Sequence, residues 1–179
     1  MKYYVYALLL GLTFAACDKD ADDDGTTEEE VITTLIYTLA PEIGGDAVVF
    51  TFRDTDGDGG NAPTIETAPL QANTRYTGAI QVLNESVSPA DDITAEVREE
   101  DEDHQFFFKF TVDGLSVEYA DADSGGLPLG LETILFTGDP GTGTLTVILR
   151  HEPNKNAQGN AETAGGETDI EVEFPLVVE

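Results

Sequence analysis

Beyond residue 30 the chain is dominated by runs in which every second residue is apolar, the period expected of strands with one face on a core. β-Branched and aromatic residues fill Val31 to Leu39 and again Ala47 to Arg53, with Pro41 and Gly44-Gly45 turning the chain between them. In the second run Val48, Phe50 and Phe52 point one way while Val49, Thr51 and Arg53 point the other. Ala62-Pro63 to Ala68-Pro69 reads as a short edge segment limited by its prolines, and Tyr76 to Leu83 alternates again. Later, Phe106, Phe108, Phe110 and Val112 alternate with Phe107, Lys109 and Thr111. Asp113-Gly114 then predicts a two-residue hairpin into Leu115 to Tyr119. Leu131 to Phe136 and Thr144 to Arg150 follow. In the last strand Ile170, Val172 and Phe174 face inward, Asp169, Glu171 and Glu173 face water, and Pro175 suggests an edge or a bend.

One stretch breaks this pattern. Ser88 to His104 reads as a helix, with Ser88 as cap, Pro89 in the first turn, and Ile93 and Val97 spaced for one apolar contact. Its end, Glu99-Glu100-Asp101-Glu102-Asp103, places negative charge where the helix dipole disfavours it, so a short, fraying crossover is expected. The strands on either side look duplicated: Tyr76 to Val82 parallels Gly141 to Val147, and the acidic turn after Arg53 has a weaker copy at Asp121-Ala122-Asp123-Ser124-Gly125-Gly126. The pattern predicts an all-β fold, a single antiparallel β-sandwich (Ig-like or jelly-roll-like) built from two pseudo-repeated units with one short crossover helix. Between Arg150 and the last strand, His151 to Glu167 is a long loop with almost nothing apolar, which is uncommon unless functional or disordered.

Length and charge narrow the picture. At 179 residues and 40% hydrophobic composition the chain builds one core. With 36 acidic against 8 basic residues, a formal charge of −28, nucleic acid and bare anionic membranes are unfavourable partners, while divalent cations and basic surfaces suit it. The same charge also serves solubility in an all-β protein.

Residues 1–16 read as a signal peptide: Lys2 is followed by an apolar run, Val5 to Ala16, too short to span a bilayer. Phe14-Ala15-Ala16-Cys17 resembles a bacterial lipobox, with Phe14 where Leu is more usual. The resemblance implies lipidation of Cys17, the sole cysteine, and anchoring by several acyl chains. Residues 17–30 form an acidic tether with too few apolar groups to fold. An acidic run after the lipid-bearing cysteine looks like the export signal of surface lipoproteins in some Gram-negative lineages. That likeness implies an outer-membrane, cell-surface location, with a periplasm-facing domain as the fallback. The folded domain is expected over 31–179.

The lipobox and tether, Arg53-Asp54-Thr55-Asp56-Gly57-Asp58-Gly59, Ala90-Asp91-Asp92-Ile93-Thr94, Arg150-His151-Glu152-Pro153-Asn154-Lys155-Asn156 and Gly165-Gly166-Glu167-Thr168-Asp169 together resemble a family of small Gram-negative lipoproteins. The Arg-His-Glu-Pro-Asn-Lys run is the most specific part of the likeness, which covers nearly the whole mature chain and implies no particular activity. Members are sometimes labelled as having a type 1 periplasmic-binding fold; two doubly wound lobes need repeated strand-helix alternation, and this chain has one helical stretch.

Three features could carry chemistry. Asp54, Asp56 and Asp58, followed by Gly59, match the opening of an EF-hand-type calcium loop, but Ile65 stands where the closing Glu belongs. Asp121 and Asp123 form a weaker calcium candidate, and the bland reading of both loops is turn chemistry. Arg150, His151, Glu152, Asn154 and Lys155 form a potential ligand loop, or a strand end in which a cation pairs with surrounding carboxylates. His104 and His151 carry no ligand spacing, and no nucleophilic Ser or Cys motif accompanies them. The sequence therefore favours a surface-tethered, non-enzymatic β-sandwich, with calcium as its candidate ion, that binds or scaffolds an extracellular or periplasmic protein or a glycan. The alternative is a metal-dependent or hydrolytic envelope enzyme using His151, Glu152 and the Asp54–Asp58 loop.

Overall fold

The computed structural model describes residues 30–57, 59–157 and 160–179. Cys17, the residues read as a signal peptide, the expected tether as far as residue 29 and Asp58 lie outside them. The strands are β1 (Thr34–Pro41), β2 (Val48–Arg53), β3 (Thr64–Glu66), β4 (Arg75–Leu83), β5 (His104–Phe110), β6 (Ser116–Tyr119), β7 (Glu132–Phe136), β8 (Gly141–His151) and β9 (Glu167–Val178). They form two antiparallel sheets, one of six strands in the order β3-β2-β1-β4-β7-β6 and one of three in the order β5-β8-β9. Helix α1 (Ile93–Glu99) carries the chain from the first sheet to the second, and a short α2 (Ala161–Ala164) precedes β9. This is the sandwich the alternation predicts, open rather than closed into a barrel. No helix among the described residues is long and apolar enough to cross a membrane.

The core lies where the two inner faces meet. Leu35, Tyr37 and Leu39 of β1, Phe50 of β2, and Tyr76, Ile80 and Val82 of β4 are buried against Phe106 of β5, Leu145, Val147 and Leu149 of β8 and the alternate residues of β9. Ring pairs bridge the layers: Tyr37 with Phe108 at 5.8 Å, and Phe50 with Phe174 at 5.6 Å. Pro175 sits within β9, an outer strand, as its missing N–H requires.

Two strand pairings of the first half recur in the second, but the layers do not. β1 pairs with β4 as β5 pairs with β8, and β2 pairs with β3 as β6 pairs with β7. In the first half all four strands share a sheet; in the second, β6 and β7 leave β5 and β8 and attach through β7 to β4. Asp113-Gly114 is therefore not a hairpin turn. It is a corner between sheets, with Gly114 packed on Gly138.

The helix is shorter than the sequence suggests. Asn84 and Asp91 exchange two backbone hydrogen bonds of 3.0 Å, which pinches residues 85–90 into a loop. Ser88 and Pro89 fall in that loop, and Asp92 takes the cap position. The expected contact holds, since Ile93 and Val97 are both buried. Thr94 Oγ1 fixes the helix to β4 by donating to the Val82 carbonyl and accepting from the Val82 amide.

Gly78 on β4 has no room for a side chain: a Cβ there would lie 2.3 Å from Thr133 Oγ1 and 2.7 Å from the Tyr37 ring. The Tyr37 and Thr133 hydroxyls share a buried hydrogen bond of 2.7 Å across that gap. Gly78→Ala should lower unfolding stability by roughly 1–3 kcal/mol in urea titration through overpacking, while Tyr37→Phe should cost about 1 kcal/mol. An Ala variant as stable as the parent would mean that the strands do not approach this closely.

Candidate functional site: the acidic end of the sandwich

Five segments converge where β8 ends and β5 begins. Arg150 and His151 close β8, opposite Gln105 and His104 of β5. The Arg150 guanidinium donates through Nη1 to Thr168 Oγ1. The rings of His104 and His151 stack at 4.8 Å with an interplanar angle of 11°. Glu152 then adopts a left-handed conformation (φ 49°), and its amide donates to the Asp103 carbonyl at 2.6 Å. Gly166 is required alongside, because a Cβ there would lie 2.3 Å from the His151 carbonyl oxygen. The Asn154 amide donates to the Ala164 carbonyl at 2.8 Å.

Lys155 turns inward and is almost fully buried. Its Nζ donates to Asp123 Oδ2 at 2.8 Å and to the Asp101 carbonyl. Asp123 Oδ1 accepts from the amides of Gly125 (2.9 Å) and Leu127 (2.8 Å). Desolvation pushes the Asp123 carboxyl upward, but the Lys155 ammonium and these amides outweigh it and hold its pKa below the usual carboxylate range. Asp121 accepts from the Gly130 amide at 2.7 Å and the Glu132 amide at 2.9 Å. Internal donors thus account for both carboxylates of the second acidic loop, as turn chemistry requires.

A cleft of about 340 Å³ opens over the ion pair, lined by Glu102, Asp123, Gly125 and Leu127 on one side and by Pro153 to Asn156 on the other. Beside it, Glu99 to Asp103 and Ser124 line an acidic groove of about 450 Å³. Glu99 ends α1 and Glu100 to Asp103 follow it, negative charge at the helix C-terminus where it is unfavourable, and donors from the His151–Lys155 loop and from His104 meet the carbonyls of this stretch. Lys155 reaches the Asp101 carbonyl, Glu152 the Asp103 carbonyl and His104 Nδ1 the Glu100 carbonyl (3.1 Å).

His104 is fully buried. Its Nε2 faces both Glu30 oxygens, at 3.1 and 3.2 Å, and Asp169 Oδ2 at 3.9 Å. Burial disfavours the imidazolium, but the Glu30 hydrogen bond and charge, the Glu100 carbonyl and Asp169 together hold the His104 pKa above its ordinary value. A register shift between Leu149 and Arg150 against β9 is what brings Asp169 to this position.

The first acidic loop follows β2 and stays exposed. Asp54 Oδ1 accepts from the Gly57 amide at 3.0 Å; Asp56 Oδ2 accepts from the Asn61 amide at 3.0 Å and from Asn61 Nδ2 at 2.6 Å. The Asn61 donors hold the Asp56 carboxyl below its ordinary pKa. This loop belongs to the same end of the sandwich: the Asp54 amide donates to the Thr33 carbonyl at 2.7 Å, and the segment leading into β1 reaches His104 through Glu30. It contributes nothing to the lining of the Lys155 cleft.

These observations define an antiparallel β-sandwich with one end closed by a buried ion pair and bordered by carboxylates. Comparison with protein-family models, curated proteins and solved structures finds no match. Sequence reasoning missed that the 151–167 loop folds back: Ala161 and Ala164 cover Phe107 and Ile148 on the outer face of the small sheet. The legible signal was the second apolar face of β5, where Phe107 needed a cover.

Lys155→Met should destabilise the domain by about 3 kcal/mol at neutral pH, because it leaves the Asp123 carboxylate buried and unpaired. The sign for pH follows from a depressed carboxyl pKa. The pair's contribution is fully present above the unfolded value of about 4 and is lost as pH falls through the lower folded value. The parent should therefore lose more stability than Lys155→Met on acidification below about pH 4, as read from thermal melts. Parallel profiles would disconnect the pair from folding.

Proposed function

We propose that this chain is a surface-tethered lipoprotein, anchored through Cys17, whose β-sandwich binds or scaffolds an extracellular protein or glycan without catalysing a reaction. The observation that carries this reading is the cleft over the ion pair. Its walls combine Asn154 and Asn156, the Glu102 carboxylate and two apolar side chains, Leu127 and Pro153, above a rigid floor. Such a mixture suits hydrogen bonding to a polar ligand with limited apolar contact. Lys155 is committed to the floor and His151 to its stack on His104, which favours binding over proton transfer. Asp54 and Asp56 accept hydrogen bonds within their own turn, which supports reading this loop as a turn.

The anchor is tested by expressing the full chain in a Gram-negative host. The expected result is an acylated Cys17, a protein in the outer-membrane fraction and digestion by protease added to intact cells. Cys17→Ser should be unacylated and leave the membrane. An unacylated parent chain would contradict the anchor, and complete protection from protease would contradict the surface location. For the cleft, the lipid-anchored chain should retain its partner by crosslinking on cells, and Asn154→Ala with Asn156→Ala should lose it while melting like the parent. Unchanged crosslinks in that variant would place binding elsewhere.

A further inference from the structure

We propose that Glu30, His104 and Asp169 form a binding site for a divalent transition-metal ion of the zinc class, a site separate from the Lys155 cleft and independent of the function proposed for it. One ligand atom from each lies within 4.8 Å of the others. The argument begins at the histidine. Its Nδ1 lies 3.1 Å from the Glu100 carbonyl, an acceptor only, so Nδ1 carries the hydrogen. A neutral ring then presents the Nε2 lone pair to the carboxylates of Glu30 and Asp169, and three acceptors converge on one point. One imidazole nitrogen and two carboxylates gathered this closely are a donor set that a divalent transition ion takes.

Several features fit the ion. A carbonyl orienting the far ring nitrogen is the usual support of a metal-bound histidine. Ligand atoms about 2.1 Å from a tetrahedral ion lie roughly 3.4 Å apart. Here the Nε2 separations are 3.1 Å to Glu30 and 3.9 Å to Asp169, so small side-chain rotations complete the geometry. An imidazole nitrogen with two carboxylates selects a first-row transition ion over calcium or magnesium, which take oxygen. A depression of about 100 Å³ lined by His151, Glu152, Gly166 and Glu167 lies beside the ring that stacks on His104. Because Glu30 precedes β1 while His104 and Asp169 belong to the small sheet, the ion would clasp the start of the domain to the far layer.

The test is a titration of the intact chain in detergent, stripped with chelator, using Zn²⁺ alone as the probe. One tightly bound zinc per chain is expected, with a rise in melting temperature and release of a proton, undisturbed by millimolar Ca²⁺. Glu30→Gln should lower zinc affinity on the order of a hundredfold, as should Asp169→Asn. Glu30 lies at the beginning of the domain, so its substitution keeps the test decisive if His104→Gln fails to fold. Zinc lost on simple dialysis, or held equally by parent and Glu30→Gln through scattered surface carboxylates, would overturn the proposal.

Discussion

The acidic end of this molecule depends on one buried ammonium. A chain with 36 acidic and 8 basic residues places Lys155 almost entirely out of water, between the Asp123 carboxylate and the Asp101 carbonyl. Removing two charges from water is costly, and mutual attraction offsets it only when the remaining hydrogen-bonding capacity is satisfied. Asp123 meets that condition through the amides of Gly125 and Leu127. Three segments distant in sequence are thereby fixed to one another: the acidic turn after α1, the loop after β6 and the loop after β8. The cleft is a consequence of that junction.

The unequal sheets explain why the junction is needed. Had β6 and β7 stayed beside β5 and β8, each half would have formed its own sheet. Their transfer to the first sheet leaves β5 as an edge, and the molecule covers it locally. The Phe106 amide donates to the Leu129 carbonyl and the Phe106 carbonyl accepts from the Tyr119 hydroxyl, each at 2.8 Å. At the other edge, Leu70 exchanges hydrogen bonds with the end of β9. Covering edges in this way prevents pairing with other chains. The outer face of the narrow sheet is closed by α2, which rests on Phe107 and Ile148. The loop that carries Lys155 and the loop that closes this face are the same piece of chain.

Alternation made the strands legible because its cause, one face in the core and one in water, is local. β9 is the plainest case, with every second residue from Ile170 to Val178 buried. Sheet membership was not legible, since an Asp-Gly pair specifies a tight turn without saying whether the strands beside it pair. The helix start was misplaced for a similar reason: Ser88 and Pro89 have cap chemistry, but the Asn84–Asp91 pairing forecloses a helix there. At the candidate site, Lys155 pairing with a carboxylate was readable from charge alone. The partner was not, because Asp123 lies far away in the chain and looks like part of a calcium loop. The meeting of His104 with His151 followed from strand register, which no spacing in the sequence encodes.

Amide hydrogen exchange on the intact chain tests most directly whether the buried ammonium binds these segments into one unit. The amides of Gly125, Leu127, Glu152 and Asn154, each hydrogen-bonded across or beside the junction, should be protected and should open together with a common free energy. Exchange at unprotected rates in these loops, while β8 and β9 remain protected, would contradict it.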